Sequence, residues 1–348
     1  MNWNMTMKRN KLTVLIPPTP DNVNASEWWP VKSDVNWIET VYSDNKPAPS
    51  KLQGVDVFIG TDFTYEMAKF ADKLKAILIP AAGYERIIAD ALPNGAVVAN
   101  ASHHEAPIAE WVMMVAVALD HKLLQSHKTF VTGLWDHWPG RYGPYRELFN
   151  RTFGIIGFGA IGRRVAKLAK AYDMEVIASG RSNNHSQIAQ SLGVKYCWGK
   201  QGMKEVLSRS DFLLVATPLI PSTLNLIDEQ ALASMKKTSY LINPARGNIV
   251  NEYALYQALK EKKIAGAAID TWYKYPTEET DQPRPSTHPF WELDNIIMTP
   301  HHSGGTDGTR NRRAQTVAEN IDRLTSGQPL INVIDFEYLY HCDLSLNA

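Results

Sequence analysis

The chain has 348 residues, 44% hydrophobic and 21% charged, with 36 Lys and Arg against 36 Asp and Glu. That composition fits a water-soluble globular protein long enough for two domains, each with its own core. A formal net charge of zero argues against nucleic acid or an anionic membrane as partner, since both select for a basic excess.

The two cysteines, Cys197 and Cys342, stand too far apart for a metal spacing and are too few for a disulfide framework. This suits a reducing cytosol, and a cytoplasmic protein without a metal site is expected. Near the start, basic residues are followed by only five apolar positions, LTVLI. Such a run is too short for a signal-peptide core and right for a buried strand. No apolar run approaches the ~18 residues of a membrane-crossing helix.

In chain order, LTVLIP (12–17), VDVFIG (55–60), KAILIP (75–80) and GAVVAN (95–100) read as strands separated by helical patterns. PIAEWVMMVAVALDHKLLQ (107–125) reads as one long apolar helix, with Pro107 tolerated in its first turn. GLWDHWPGRYGPYREL (133–148) is irregular and aromatic-rich, a pattern expected of an interface or a buried loop. Six further strands follow, in RTFGIIGFG (151–159), MEVIAS (174–179), DFLLVAT (211–217), SYLINPA (239–245), IAGAAID (264–270) and DNIIMTP (294–300). A helical pattern over 309–327 closes the chain. Strands alternating with helices predict an α/β protein with parallel sheets.

FGIIGFGAIGRRVAKLAKAY places Gly157, Gly159 and Gly162 in G-x-G-x-x-G spacing between a strand and a helix. The helix has apolar Ile161, Val165, Leu168, Ala169 and Tyr172 on one face. In that context Gly157 permits the tight turn, Gly159 lets the backbone approach a pyrophosphate, and Gly162 lets helix and strand pack closely. The helix start at Ala160 and Ile161 then faces the phosphates with free N–H groups. A merely structural glycine turn is the alternative. An NAD-binding unit usually ends its next strand with Asp or Glu, which holds the ribose hydroxyls. VIASGRSNN has Gly180 there, followed by Arg181 and Ser182, and Glu175 lies at the wrong end of the strand. A missing anion and an added guanidinium favour a 2′-phosphate, so NADP(H) is expected over NAD(H). A solvated surface arginine is the alternative reading.

Three polar segments follow later strand ends: INPARGNIV, AAIDTWYKYP and TPHHSGG. With the GFGAIG turn, their order and spacing resemble the D-isomer-specific 2-hydroxyacid dehydrogenase family over nearly the whole chain. The resemblance implies hydride exchange between a nicotinamide and C2 of a 2-oxo or 2-hydroxy acid. Arg246 matches the arginine that grips the substrate carboxylate, where a planar fork suits the chemistry. A structural ion pair is the alternative. His301 matches the family's acid/base histidine. His302 is expected to point away, because successive residues of an extended strand end face opposite ways. A metal pair is therefore a poor reading of HH here. HHEAP at 103–107 fares no better, because it lacks the second histidine of a zinc-protease helix.

The resemblance also implies a substrate loop at PAAGYERI with the N–H groups of Ala82 and Gly83 as donors, and places His104 on the substrate side. It assigns Thr217, Pro218, Pro244, Ala245, Asp270 and Ser303 to the cofactor, with Asp270 at the carboxamide.

Most of the family carry a glutamate before a proline as partner of the histidine. Here Tyr275 stands at that position, and Glu278, Glu279 and Asp281 follow out of register. A phenol can orient an imidazole but does not stabilise an imidazolium by charge. Formate dehydrogenases, a branch of the superfamily, also place a neutral residue there, and MTPHHSGG and the tryptophan of DTW are similar to that branch.

The leading reading is an NADPH-dependent reductase of glyoxylate or hydroxypyruvate. Formate-like oxidation of a small anion is the second, and a non-catalytic dinucleotide-sensing protein the third. The expected architecture is two doubly wound parallel-sheet domains. A Rossmann cofactor domain (102–303) is inserted into a flavodoxin-like substrate domain (1–101 and 304–348). Hinges are expected near 102 and 303, and an apolar arm at 107–150 is expected to form a homodimer.

Overall fold

The computed structural model describes residues 11–19, 23–43, 46–277 and 282–336; Cys342, Glu278, Glu279 and Asp281 lie outside the described residues. The chain divides into two compact units. The first runs up to His103 and resumes at Asp307; the second spans His104–Thr306.

In the first unit, β1 (Thr13–Ile16), β2 (Asn36–Glu39), β5 (Val57–Ile59), β6 (Ala76–Ile79) and β7 (Val97–Asn100) form one parallel sheet. A small antiparallel hairpin, β3 (Tyr42–Ser43) with β4 (Lys46–Pro47), stands apart from it. The sheet order is β2-β1-β5-β6-β7, with Val14 opposite both Trp37 and Val57. Leaving out the hairpin, this is the 2-1-3-4-5 order of flavodoxin-like sheets.

β5 and β6 are buried on both faces, which is why they read as unbroken apolar runs rather than alternating ones. One face, with Val14, Val57 and Leu78, packs on Ala314, Val317 and Ile321 of the helix Asp307–Ser326. Those spacings of three and four put the helix contacts on a single stripe. The other face, with Phe58 and Ile77, packs on Leu52, Phe63 and Met67.

The second unit holds a seven-stranded parallel sheet. Its strands are β8 (Thr152–Ile156), β9 (Glu175–Gly180), β10 (Lys195–Trp198), β11 (Phe212–Val215), β12 (Tyr240–Asn243), β13 (Gly266–Ile269) and β14 (Ile296–Met298). The order β10-β9-β8-β11-β12-β13-β14 reverses direction between β8 and β11, as in a Rossmann sheet. One strand, β10, goes beyond the six expected; as a half-exposed edge strand reading KYCW it lacks the apolar run that marks the others.

The apolar helix of this unit is shorter than expected. It spans Glu105–Asp120, and a second helix, Leu123–Phe130, begins after Lys122, whose φ of 49° breaks the first. The first packs on the helix Ala160–Ala171 within one core. There Val165 and Ala169 are buried as expected, but Tyr172 lies beyond the helix end and is exposed. Among the described residues no helix is long and apolar enough to cross a membrane.

Candidate active site

Gly157 follows β8 with a φ of 96°, open to glycine and strained for other residues. A β-carbon there would stand 2.4 Å from the Ala216 carbonyl oxygen and 2.9 Å from Thr217 Cγ2. The turn is therefore pressed against the segment that leaves β11, at the point where strand order reverses. A β-carbon on Gly162 would meet the Gly157 carbonyl at 2.3 Å, whereas one on Gly159 would meet nothing within 4 Å. The three glycines thus divide into two packing positions and one open one. No side chain caps the helix that begins at Ala160, followed by Ile161, so its first turn faces that open side with backbone donors. Thr217 Oγ1 is buried with no partner among the described residues, and the Pro218 carbonyl accepts from Thr223 Oγ1 at 2.7 Å. An open glycine, an uncapped helix and an orphaned hydroxyl fit a dinucleotide pyrophosphate.

Gly180 ends β9 and Glu175 begins it, with Arg181 and Ser182 exposed in the following loop. No acidic side chain stands at the end of that strand.

β12 ends in Asn243, fully buried, which shapes the turn after it. Its Oδ1 accepts from the Ala245 N–H at 3.1 Å, and its Nδ2 donates to the Arg246 carbonyl at 2.9 Å. Pro244 and Ala245 are buried inside this turn, and Arg246 Nη1 donates to the Ala245 carbonyl at 2.7 Å. A β-carbon on Gly247 would lie 2.5 Å from the Trp272 carbonyl oxygen. The arginine-bearing turn therefore rests directly on the segment after β13.

Trp272, 7% exposed, joins this turn to the next two. Its backbone N–H donates to the Tyr275 hydroxyl at 3.1 Å, and its indole Nε1 donates to the Thr299 carbonyl at 2.8 Å. The Tyr275 hydroxyl in turn lies 2.9 Å from His301 Nδ1. With one lone pair of that hydroxyl engaged by Trp272, its proton can point at Nδ1. A neutral imidazole then carries its own proton on Nε2.

Asp270, fully buried after β13, binds four donors from the segment around the histidine: Thr299 Oγ1, the N–H of His302, the N–H of Ser303 and Ser303 Oγ. Both carboxylate oxygens are thus occupied by the protein's own donors, and Asp270 clamps the chain on either side of His301. The clamp explains a correction. The strand ends at Met298 and His301 has a φ of 56°, so it does not sit on an extended strand end. His302 is exposed, and its backbone N–H donates to Asp270 at 3.0 Å. His104, at the start of the helix Glu105–Asp120, has its β-carbon 3.2 Å from the position of a β-carbon on Gly304, next to Ser303.

In the first unit, the loop after β6 carries Ala82 and Gly83, and the Ala82 carbonyl accepts from Asn100 Nδ2 at 2.8 Å. Among the described residues no three His, Cys, Asp or Glu side chains gather as a metal would require.

The family model for the D-isomer specific 2-hydroxyacid dehydrogenase NAD binding domain matches residues 113–303. The chain belongs to this family. The D-3-phosphoglycerate dehydrogenase of Methanocaldococcus jannaschii is 33% identical over 82% of this chain and 52% of its own, so the chain spans about half the length of that relative. The glyoxylate reductase of Pyrococcus furiosus is 31% identical over 84% of this chain and 86% of its own. Among solved structures, an acyclic imino acid reductase in complex with NADPH and D-Arg aligns with a TM-score of 0.77, at 26% identity, over 93% of this chain and all of that one. The 2-hydroxyacid dehydrogenases act on small 2-oxo and 2-hydroxy acids with a nicotinamide dinucleotide.

Sequence reasoning missed what holds the candidate site residues of this chain in place. Asn243, Gly247 and Thr299 carry no chemistry of their own, and Trp272 stood out only as part of a motif. Asp270→Asn replaces two acceptor oxygens by one and turns an amide donor toward two existing donors. It is expected to cost about 2–4 kcal/mol of stability. Urea unfolding measures this, and an unchanged midpoint would show that the clamp is not needed.

Proposed function

We propose that this chain is an NADPH-dependent reductase of small 2-oxo acids of the glyoxylate or hydroxypyruvate kind. One observation carries the reading: Arg246, Tyr275 and His301 follow three adjacent parallel strands, Gly247 beside Arg246 packs on the Trp272 carbonyl, and Trp272 and Asp270 bind the segments of Tyr275 and His301. Arg246 binds the substrate carboxylate as a planar fork and orients the oxo group. His301 donates a proton to the oxo oxygen in reduction and withdraws one from the hydroxyl in oxidation. Tyr275 holds the imidazole through Nδ1. His104 lines the substrate. When bound, the nicotinamide supplies or accepts the hydride.

Gly157, Gly159, Ala160, Ile161 and Gly162 hold the pyrophosphate, with Thr217, Pro218, Pro244, Ala245, Asp270 and Ser303 lining the rest of the cofactor. Arg181 and Ser182 take the 2′-phosphate. The name of the glyoxylate reductase relative supports the substrate class, and NADPH in the imino acid reductase structure supports the cofactor.

The phenol at position 275 favours a second reading: a substrate that needs no proton from His301. Formate oxidation is one such reaction, and reduction of an already protonated imino acid is another. Absorbance at 340 nm decides among these, with NADPH or NADH tested against 2-oxo acids, 2-oxo acids with ammonia or methylamine, and NADP⁺ with formate. Oxidation of NADPH by glyoxylate or hydroxypyruvate at least about tenfold faster than of NADH is expected, from charge-assisted bonds to the 2′-phosphate. Turnover with formate alone, or only when an amine is present, would replace the oxo-acid reading. Binding of NADPH with no turnover would make the protein a dinucleotide sensor.

The reductive direction needs protonated His301, so activity falls as pH rises through the imidazole pKa. A carboxylate at position 275 favours the imidazolium. Tyr275→Glu is therefore expected to move that falling limb about one pH unit upward. A pH–rate profile that coincides with the wild type would remove Tyr275 from its assigned role.

A homodimer in the cytoplasm completes the proposal. Leu123, Phe130, Trp135, Trp138 and Phe149 are large apolar side chains, each at least half exposed, within residues 107–150. Exposed apolar side chains this frequent along one segment suit an interaction surface. Analytical ultracentrifugation at micromolar concentration is expected to give a dimer, and a monomer there would refute the assignment of the arm.

A further inference from the structure

Tyr196 lies on β10 opposite Ala178 of β9, two residues before the pairing of Trp198 with Gly180. Its ring packs on Phe158, the residue between Gly157 and Gly159, with centroids 5.8 Å apart at 50°. His185 meets the same ring edge-on at 6.3 Å. The Tyr196 hydroxyl donates to the Ser182 carbonyl at 2.9 Å. A β-carbon built on Gly180 would stand 2.3 Å from that hydroxyl oxygen and 3.4 Å from the ring carbon bearing it. One tyrosine thus touches three segments that surround the adenosine ribose in a fold of this type: the glycine turn, the end of the second strand and the loop after it.

The strand end is therefore more than a place where a carboxylate happens to be missing. Any side chain at position 180 begins with a β-carbon, and that atom cannot be placed while the tyrosine stays where it is. The ring cannot swing aside cheaply, because it is packed on Phe158 and tied to Ser182. Within this sheet the geometry points to Tyr196 as a residue that determines cofactor choice. It fills the space of the ribose-binding acid and fixes the loop carrying Arg181 and Ser182, so that this loop meets a 2′-phosphate. This rests on the NADPH reading above and names what enforces it. Burial raises the pKa of the Tyr196 hydroxyl, so it remains a donor to Ser182 at neutral and mildly alkaline pH.

Two consequences separate this role from simple packing. A carboxylate at position 180 alone gains nothing for NADH, because it arrives in a space already filled. The same carboxylate gains NADH binding once the ring is gone. The test is binding of NADPH and of NADH, followed by tryptophan fluorescence, to wild type, Tyr196→Phe, Tyr196→Ala, Gly180→Asp and the Gly180→Asp/Tyr196→Ala double variant. Thermal melts establish that each is folded.

Tyr196→Phe keeps the ring and loses the bond to Ser182. It is expected to weaken NADPH about tenfold or less and to leave NADH unchanged. Gly180→Asp alone is expected to bind neither cofactor better than wild type, and the double variant to bind NADH about tenfold more tightly than either single change. Gly180→Asp binding NADH as tightly as the double variant would overturn the proposal, as would NADPH binding by both Tyr196 variants equal to wild type. Wild-type protein that binds NADH as tightly as NADPH would instead refute the underlying NADPH reading, whatever the variants do.

Discussion

The segments that follow β13 and β14 in the second unit depend on one buried carboxylate. Asp270 has no exposure to solvent, and an ionised group in that position would cost several kcal/mol if left unpaired. Its four donors all come from the seven residues that begin at Thr299 and contain His301. The same bonds that make the buried charge tolerable force the intervening backbone around a tight turn. His301 accordingly adopts a left-handed conformation that a non-glycine residue rarely keeps without such restraint. Trp272 extends the restraint: its indole holds the Thr299 carbonyl, which also accepts from the His301 N–H at 3.1 Å. The histidine is therefore fixed by its backbone first and by its ring partner second.

Sheet order explains why these groups converge. β12, β13 and β14 are consecutive neighbours and all parallel, so the segments that leave them emerge side by side at one edge. Arg246 follows the first, Asp270, Trp272 and Tyr275 the second, and His301 the third. The glycine turn leaves β8 beside β11, where the order reverses and a crevice opens between diverging connections. One sheet thus carries the glycine turn and the segments of Arg246, Tyr275 and His301 along the same edge.

Much of this was legible in the amino-acid sequence, for identifiable reasons. Buried parallel strands are continuous apolar runs, and β5, β6, β8 and β11 announced themselves that way. β2 and β10 did not, because an edge strand needs no such run and NWIE and KYCW read as ordinary surface. The helix 107–125 was read too long because its apolar pattern continues past Lys122, where only a backbone dihedral marks the break. Chemistry-bearing residues stood out by type and spacing. Asn243, Gly247 and Thr299 did not, since their work is hydrogen bonding and close approach across segments distant in the chain. The left-handed turn at His301 was equally invisible, because the donors that impose it are two hydroxyls and two backbone N–H groups, and nothing in their spacing marks them as partners of Asp270.

A tyrosine beside the histidine changes more than the strength of one contact. A glutamate at that position accepts only, so Nδ1 must carry a proton at all times, and the pair is either neutral overall or singly negative. A phenol donates or accepts, so the pair is neutral or singly positive, and the proton on Nδ1 becomes exchangeable with the hydroxyl. The Trp272 N–H at that oxygen also stabilises whatever negative charge the oxygen bears. Relative to a carboxylate, one unit of negative charge leaves this position while the Arg246 guanidinium stays on the neighbouring turn. The local field thereby shifts toward anions. For the carboxylate substrate proposed above, affinity gains from that shift, while an imidazolium at His301 has no counter-charge at Nδ1. On the proposed reading, binding and proton donation are therefore set against each other at a single side chain.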